Sequence, residues 1–180
     1  MLRSMAKVGL AMACLTAVLA AATAPGIWLD VPFVKQEKEG CGAASIAMVM
    51  RFWQQQQGRP MVEAADASHI QQALYSKKGH GIYASDLEAY FQQNNFQTFA
   101  FRGELPDLKQ HLEKGRPLIV ALKPSGAALH YVVVTGFDWE HSLVIMNDPA
   151  QRKLLKQDQS SFEREWSGAG KWTLLALPQS

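Results

Sequence analysis

A chain of 180 residues that is 48% hydrophobic and 19% charged can bury a sizeable core as one domain of ordinary size. Its formal charge of +2 comes from Arg3 and Lys7; without them 16 basic residues stand against 16 acidic ones. No basic block interleaved with aromatics remains, so the composition argues against a nucleic-acid partner.

The first segment reads as an export signal. Arg3 and Lys7 form a basic start, Val8 to Ala21 is almost wholly apolar and small, and Ala22-Thr23-Ala24 offers an A-x-A cleavage site. Pro25 directly after that cut is disfavoured, so Ala20-Ala21-Ala22 competes with it. The apolar stretch is shorter than the roughly 20 residues a spanning helix needs, which makes an uncleaved anchor the second choice. Ala11-Met12-Ala13-Cys14 lacks the leucine usual three residues before a lipidated cysteine. The expectation is a signal peptide over residues 1–24 and a single domain over residues 25–180, exported and either periplasmic or secreted. Membrane attachment then requires the N-terminal segment to be retained or lipidated.

Of the two cysteines, Cys14 falls in that segment, so the processed chain keeps Cys41 alone and forms no internal disulfide. A lone thiol in an oxidising compartment is a liability unless it is buried or used. Cys41 opens the apolar run Ile46-Ala47-Met48-Val49-Met50, and Gln36 stands five residues before it. That is how a nucleophile at a helix start reads: the partial positive charge there favours thiolate, and a nearby imidazolium brings a thiol from about 8.5 toward about 3.5–7.5. An upstream glutamine can donate to a developing oxyanion. The bland reading is a small buried hydrophobe, a common fate of free cysteine.

In chain order, residues 41–55 predict a strongly apolar helix whose solvated end explains the glutamines at 54–57. A helical pattern runs from Val62 to Leu74, and the glycines of Ser76-Lys77-Lys78-Gly79-His80-Gly81 break it. A short helix starts at Ala84 or Ser85 and runs to Gln92. Phe96 to Phe101 alternates like a strand, and a helix begins at Leu105 or Pro106 and ends at Gly115. Residues 117–122, 130–135, 143–146 and 172–176 are β-rich runs bounded by turn residues, with a short helix at Phe162–Trp166 before the last. Helices first and strands afterwards predict an α+β domain, its N-terminal helices packed on a C-terminal antiparallel sheet.

Five histidines could partner the cysteine. His69 and His111 sit in polar helical stretches and read as surface residues, and His141 lies in the hairpin turn Trp139-Glu140-His141-Ser142. His80, between glycines, could border a cleft; Lys77, Lys78 and Trp139 are other rim candidates. His130 begins the apolar strand His130-Tyr131-Val132-Val133-Val134-Thr135 after a loop of small residues, so the strand fixes its backbone while its ring can face a cleft. A base needs a group to orient it. The next strand ends Met146-Asn147-Asp148-Pro149, and the hairpin returns it to the start of the His130 strand. Asp148 or Asn147 can therefore reach the imidazole, although Asp-Pro also makes an ordinary turn.

The ordered set Gln36, Cys41-Gly42-Ala43-Ala44, His130 to Gly136 and Asn147-Asp148-Pro149 resembles the C39-like cysteine peptidases of the papain-like superfamily. Trp28 to Gln36 resembles that family's first strand, and Gly81 to Leu87 its glycine-then-helix segment. The resemblance implies a papain-like fold, Cys41 as nucleophile, His130 as general base and acid, Asp148 as orienting group and Gln36 as oxyanion-hole donor. It implies hydrolysis of a peptide or protein, with no metal, no cofactor and no ATP. Better-known members clip Gly-Gly leaders as cytoplasmic domains of ABC exporters. This chain shows neither a transmembrane bundle nor a phosphate-binding glycine-rich loop with lysine, and its export signal points to another compartment. Ala43 stands where many relatives have proline. Two other classes compete with an exported peptidase: a thiol acyltransferase or amidase on the same fold, and an inactive peptide-binding module.

Overall fold

The computed structural model describes residues 26–179. The signal segment expected over residues 1–24, with Cys14, lies outside them. The elements are β1 (Gly26–Trp28), α1 (Cys41–Gln56), a 3-10 turn (Glu63–Ala65), α2 (Ala67–Leu74), α3 (Ala84–Gln93), β2 (Phe96–Arg102) and α4 (Leu105–Glu113). They continue with β3 (Leu118–Leu122), β4 (His130–Asp138), β5 (Leu143–Asn147), β6 (Leu155–Asp158), α5 (Gln159–Gly168) and β7 (Trp172–Pro178). Every pairing between these strands is antiparallel, in the order β2-β7-β3-β4-β5-β6, with β1 added against β4. Among the described residues no helix is long and apolar enough to cross a membrane.

The α+β class holds, but helices cover both faces of the sheet. One core joins Ile46, Met48 and Val49 of α1 and Phe91 of α3 to Ile119, Tyr131 and Val133. A second joins Leu108 and Leu112 of α4 and Phe162 and Trp166 of α5 to Val120, Val132 and Val134. Alternate residues of β3 and β4 thus enter opposite cores. This is why those strands read as unbroken apolar runs, the pattern of a strand with no solvated face. The same logic explains α1, buried throughout from Gly42 to Met50 with Ser45 its one polar side chain there, while Gln55, Gln56 and Gln57 are exposed.

Two local expectations are corrected. The helical pattern from Val62 to Leu74 is interrupted at Asp66, whose extended backbone separates the 3-10 turn from α2. Its carboxylate accepts from the N–H groups of Ser68 (3.0 Å) and His69 (3.1 Å), so the residue caps a new helix rather than continuing an old one. Strand β6 has no β-branched residue to announce it; pairing with β5 makes it a strand.

Gly136 fixes how β1 meets β4. It pairs with Trp28, and a Cβ there would stand 2.2 Å from the Ile27 carbonyl oxygen and 2.8 Å from Trp28 Cα. Gly136→Ala should destabilise the fold by roughly 1–3 kcal/mol through overpacking against backbone. A denaturant midpoint measures this, and an unchanged midpoint would contradict the close approach.

Candidate active site

The turn Glu37–Gly40 delivers the chain to α1, closed by Gly40 N–H donating to the Glu37 carbonyl at 3.0 Å. Cys41 is the first residue of α1, which has a glycine N-cap and no acidic side chain in its first turn. The helix start therefore offers free N–H groups and uncompensated positive potential to the sulfur. Gly42 permits this placement, since a Cβ on it would lie 3.0 Å from the Ile82 Cβ.

His130 is the first residue of β4, followed by the buried Tyr131. The β4–β5 register pairs Val133 with Asn147, so Asp148, one residue further, comes back beside the start of β4. His130 Nε2 and Asp148 Oδ1 lie 2.8 Å apart. With Nε2 committed to the carboxylate, Nδ1 is the ring nitrogen left for the thiol. Asp148 is itself nearly buried: Oδ1 also accepts from Ala150 N–H at 2.9 Å, and Oδ2 from Gln151 Nε2 at 2.7 Å. The Asp-Pro turn expected from sequence is present as well, so one carboxylate both closes a turn and holds the imidazole.

Burial and neighbouring groups pull in opposite directions at all three residues. Burial pushes the Cys41 thiol up, but hydrogen bonding to His130 and to the N–H of Tyr131, the attraction of His130 and the Gly42 N–H together bring it below its ordinary value. Burial lowers His130, yet its bonds to Asp148 and Cys41 outweigh this and raise it to about 9. Burial likewise raises the Asp148 carboxyl, while His130, Ala150 and Gln151 more than offset it and hold it below the ordinary range. Each partner favours the charged form of the next, the pattern of groups tuned for proton transfer.

Gln36 is tied to the same corner by its N–H, which donates to the Pro149 carbonyl at 2.9 Å. Its side chain lines a cleft of about 700 Å³ with Cys41, His130 and Asp148, walled on the sheet side by Leu122, Leu129 and Met146. Its oxygen is buried without a hydrogen-bond partner among the described residues.

The alternatives left open by sequence separate cleanly. Asn147 points away from His130: its Nδ2 donates to the Val31 carbonyl at 3.0 Å and its Oδ1 accepts from Leu154 N–H at 3.0 Å, so it ties the lead-in segment to β5. His69 and His141 are exposed and paired with Glu63 and Asp138. His111, expected on the surface, is half-buried against Phe101, and burial lowers its pKa. Trp139 stacks on Phe137 beneath Lys109, away from the cleft, and Lys77 and Lys78 do not line it either; His80 does. The supporting residues Ala150 and Gln151 escaped the sequence reading; the Asp-Pro-x-x turn was the available signal, because an aspartate there accepts from the N–H two residues on.

A family model described as Peptidase_C39 like family matches residues 28–173. The chain belongs to the C39-like peptidase family. Two Streptococcus pneumoniae transport/processing ATP-binding proteins ComA, from different strains, are each 31% identical to it over 143 residues, 77% of this chain and 17% of theirs. The chain thus spans about one sixth of the length of the curated relatives it matches. A C39-like peptidase from Bacillus anthracis superposes with a TM-score of 0.67 at 18% identity, covering 86% of this chain and 98% of that one. A double glycine motif protease from an AMS/PCAT transporter, crystallised with its leader peptide, gives 0.65 at 23% identity, with 84% and 94% covered. These likenesses establish the papain-like fold. By family and fold the chain groups with the cysteine-type peptidases.

Proposed function

We propose that this C39-like protein hydrolyses peptide bonds through Cys41, His130 and Asp148, with Gln36 and the Cys41 N–H as oxyanion donors. The observation that carries this reading is His130 Nε2 2.8 Å from the buried Asp148 carboxylate, in a cleft that Cys41 and Gln36 line with them. An inert buried cysteine would have neither a charged partner nor an open cleft beside it.

The Cys41 thiolate adds to the substrate carbonyl, and the resulting oxyanion takes hydrogen bonds from the Cys41 N–H and the Gln36 amide. The Gln36 oxygen is buried without a hydrogen-bond partner among the described residues, and the amide NH₂ is the donor such an oxyanion needs. The His130 imidazolium gives its proton to the leaving amine as the C–N bond breaks, leaving a thioester. Neutral His130 then takes a proton from water, the hydroxyl adds to the thioester, and the C–S bond breaks to return thiolate and imidazolium. Asp148 holds the tautomer and balances the imidazolium throughout.

A peptide or protein is the substrate this chemistry needs, and a neighbour crystallised with a leader peptide supports it. Residues 1–24 support export to the periplasm or beyond, where N-terminal sequencing of the fractionated protein should find a start after Ala22 or Ala24. The central test is labelling with a thiol-reactive probe at neutral pH. Cys41 should react at least about tenfold faster than a peptide thiol, because its thiolate fraction is higher, and His130→Ala should remove the excess. Labelling at the rate of a free peptide thiol would sink the proposal. Comparison of cleaved N-termini with and without the protein then identifies the bond cut.

A further inference from the structure

A second imidazole–carboxylate pair lies on the α1 side of the same cleft. Glu39 and His80 both line it, and Glu39 Oε1 faces His80 Nδ1 at 3.3 Å. The other Glu39 oxygen accepts from the Tyr75 hydroxyl. Both residues adopt left-handed backbone, with φ of 57° at Glu39 and 49° at His80. Glycine or asparagine occupies that region most easily, and side chains kept there cluster at functional sites. The segment is otherwise well built: Ser76 and Gly81 pair through backbone bonds of 2.9 and 3.3 Å, and Gly79 N–H donates to Ser76 Oγ at 3.2 Å.

Stability does not account for the arrangement. The His80 side chain is 77% exposed, and exposed pairs contribute little. What the pair does accomplish is orientation. A carboxylate can only accept, so Nδ1 carries the proton that meets Glu39, and the neutral ring is left with a lone pair on Nε2. Glu39 is two residues from Cys41, which brings this acceptor to the rim next to the nucleophile. The hydrogen bond from Tyr75, outweighing desolvation and joined by His80 and Lys38, holds the Glu39 carboxyl below its ordinary range and keeps it an acceptor.

We propose that His80 is a substrate-binding residue: oriented by Glu39 and Tyr75, its Nε2 accepts a hydrogen bond from a backbone N–H of the peptide lying in the cleft. This rests on the peptidase reading above. His80 contacts substrate, whereas Glu39 and Tyr75 are positioning residues that act through it.

Kinetics on a quenched-fluorescent peptide that the wild-type protein cleaves test this. His80→Ala should raise KM about tenfold, the size of one hydrogen bond, with kcat changed less than about twofold and the iodoacetamide alkylation rate of Cys41 unchanged. His80→Gln, which keeps an acceptor, should recover much of the loss. Tyr75→Phe should raise KM in the same direction but add nothing to His80→Ala. A substrate series methylated at one backbone nitrogen at a time should contain one member penalised in wild type and not in His80→Ala. His69→Ala, on the exposed face of α2, is the unchanged control. An unaltered KM in His80→Ala, or a fall in kcat and alkylation instead, overturns the assignment while leaving the triad standing. A wild-type protein that cleaves no peptide and alkylates like a free thiol overturns both.

Discussion

Cys41→Ala is expected to lower kcat by about 10⁴-fold or more while leaving the protein folded. Removing the nucleophile of a working triad takes away nearly everything the triad adds, and what survives comes from the oxyanion donors and binding alone. Cys41→Ser should be nearly as damaging, because a hydroxyl is not ionised by an imidazole as a thiol is. The fold has little reason to fail, since Cys41 stands at the start of α1 and the residues that bury the helix run from Gly42 to Met50 and Phe52. The variant carries its own internal check. His130 is raised partly by Cys41, so in Cys41→Ala its pKa should fall from about 9, as read by NMR titration. Retained turnover, or an unmoved His130, would show that the two groups are not coupled.

The second large effect belongs to His130 and Asp148. His130→Ala should cost about 10²–10⁴-fold in kcat/KM, the range general acid–base catalysis supplies. In the wild type kcat/KM should rise with pH as Cys41 ionises below the ordinary thiol value, then fall near pH 9 as His130 loses its proton. Asp148→Asn keeps the shape but removes the charge that holds His130 up. The alkaline limb should therefore move to lower pH and the acid limb to higher pH, narrowing the window from both sides. Asp148→Ala goes further, leaving the Ala150 N–H and the Gln151 amide without their acceptor, and should destabilise the fold by roughly 1–3 kcal/mol as well. An unshifted alkaline limb in Asp148→Asn would dismiss Asp148 as the orienting group.

Much of this site is legible in the chain because it hangs on local features. A cysteine before a wholly apolar helix, a histidine at the head of a β-branched run and an acid 18 residues on, at the end of the returning strand, can each be read in sequence. Choosing between Asn147 and Asp148 could not be done that way. Neighbouring strand-end residues point to opposite sides, and only the packed structure shows that Asn147 takes the Val31 carbonyl while Asp148 takes the imidazole. The break at Asp66 and the strand β6 were missed for the same kind of reason: a side chain competing with the helix in one case, a neighbouring strand imposing pairing in the other. The Glu39–His80–Tyr75 cluster left no periodic trace at all, since it joins a turn, a loop and the end of α2.

By itself the sequence determined the single thiol of the described chain, its place at a helix start, the α+β class and the candidates for its partners. These follow from propensity and periodicity, which act between residues close along the chain. Tertiary structure decided the rest: that helices cover both faces of the sheet, that His130 Nε2 is committed to Asp148, and that Cys41 and His130 line one cleft. Charge state depends on burial and on groups brought together from residues 41, 130 and 148, and only the completed fold sets those distances.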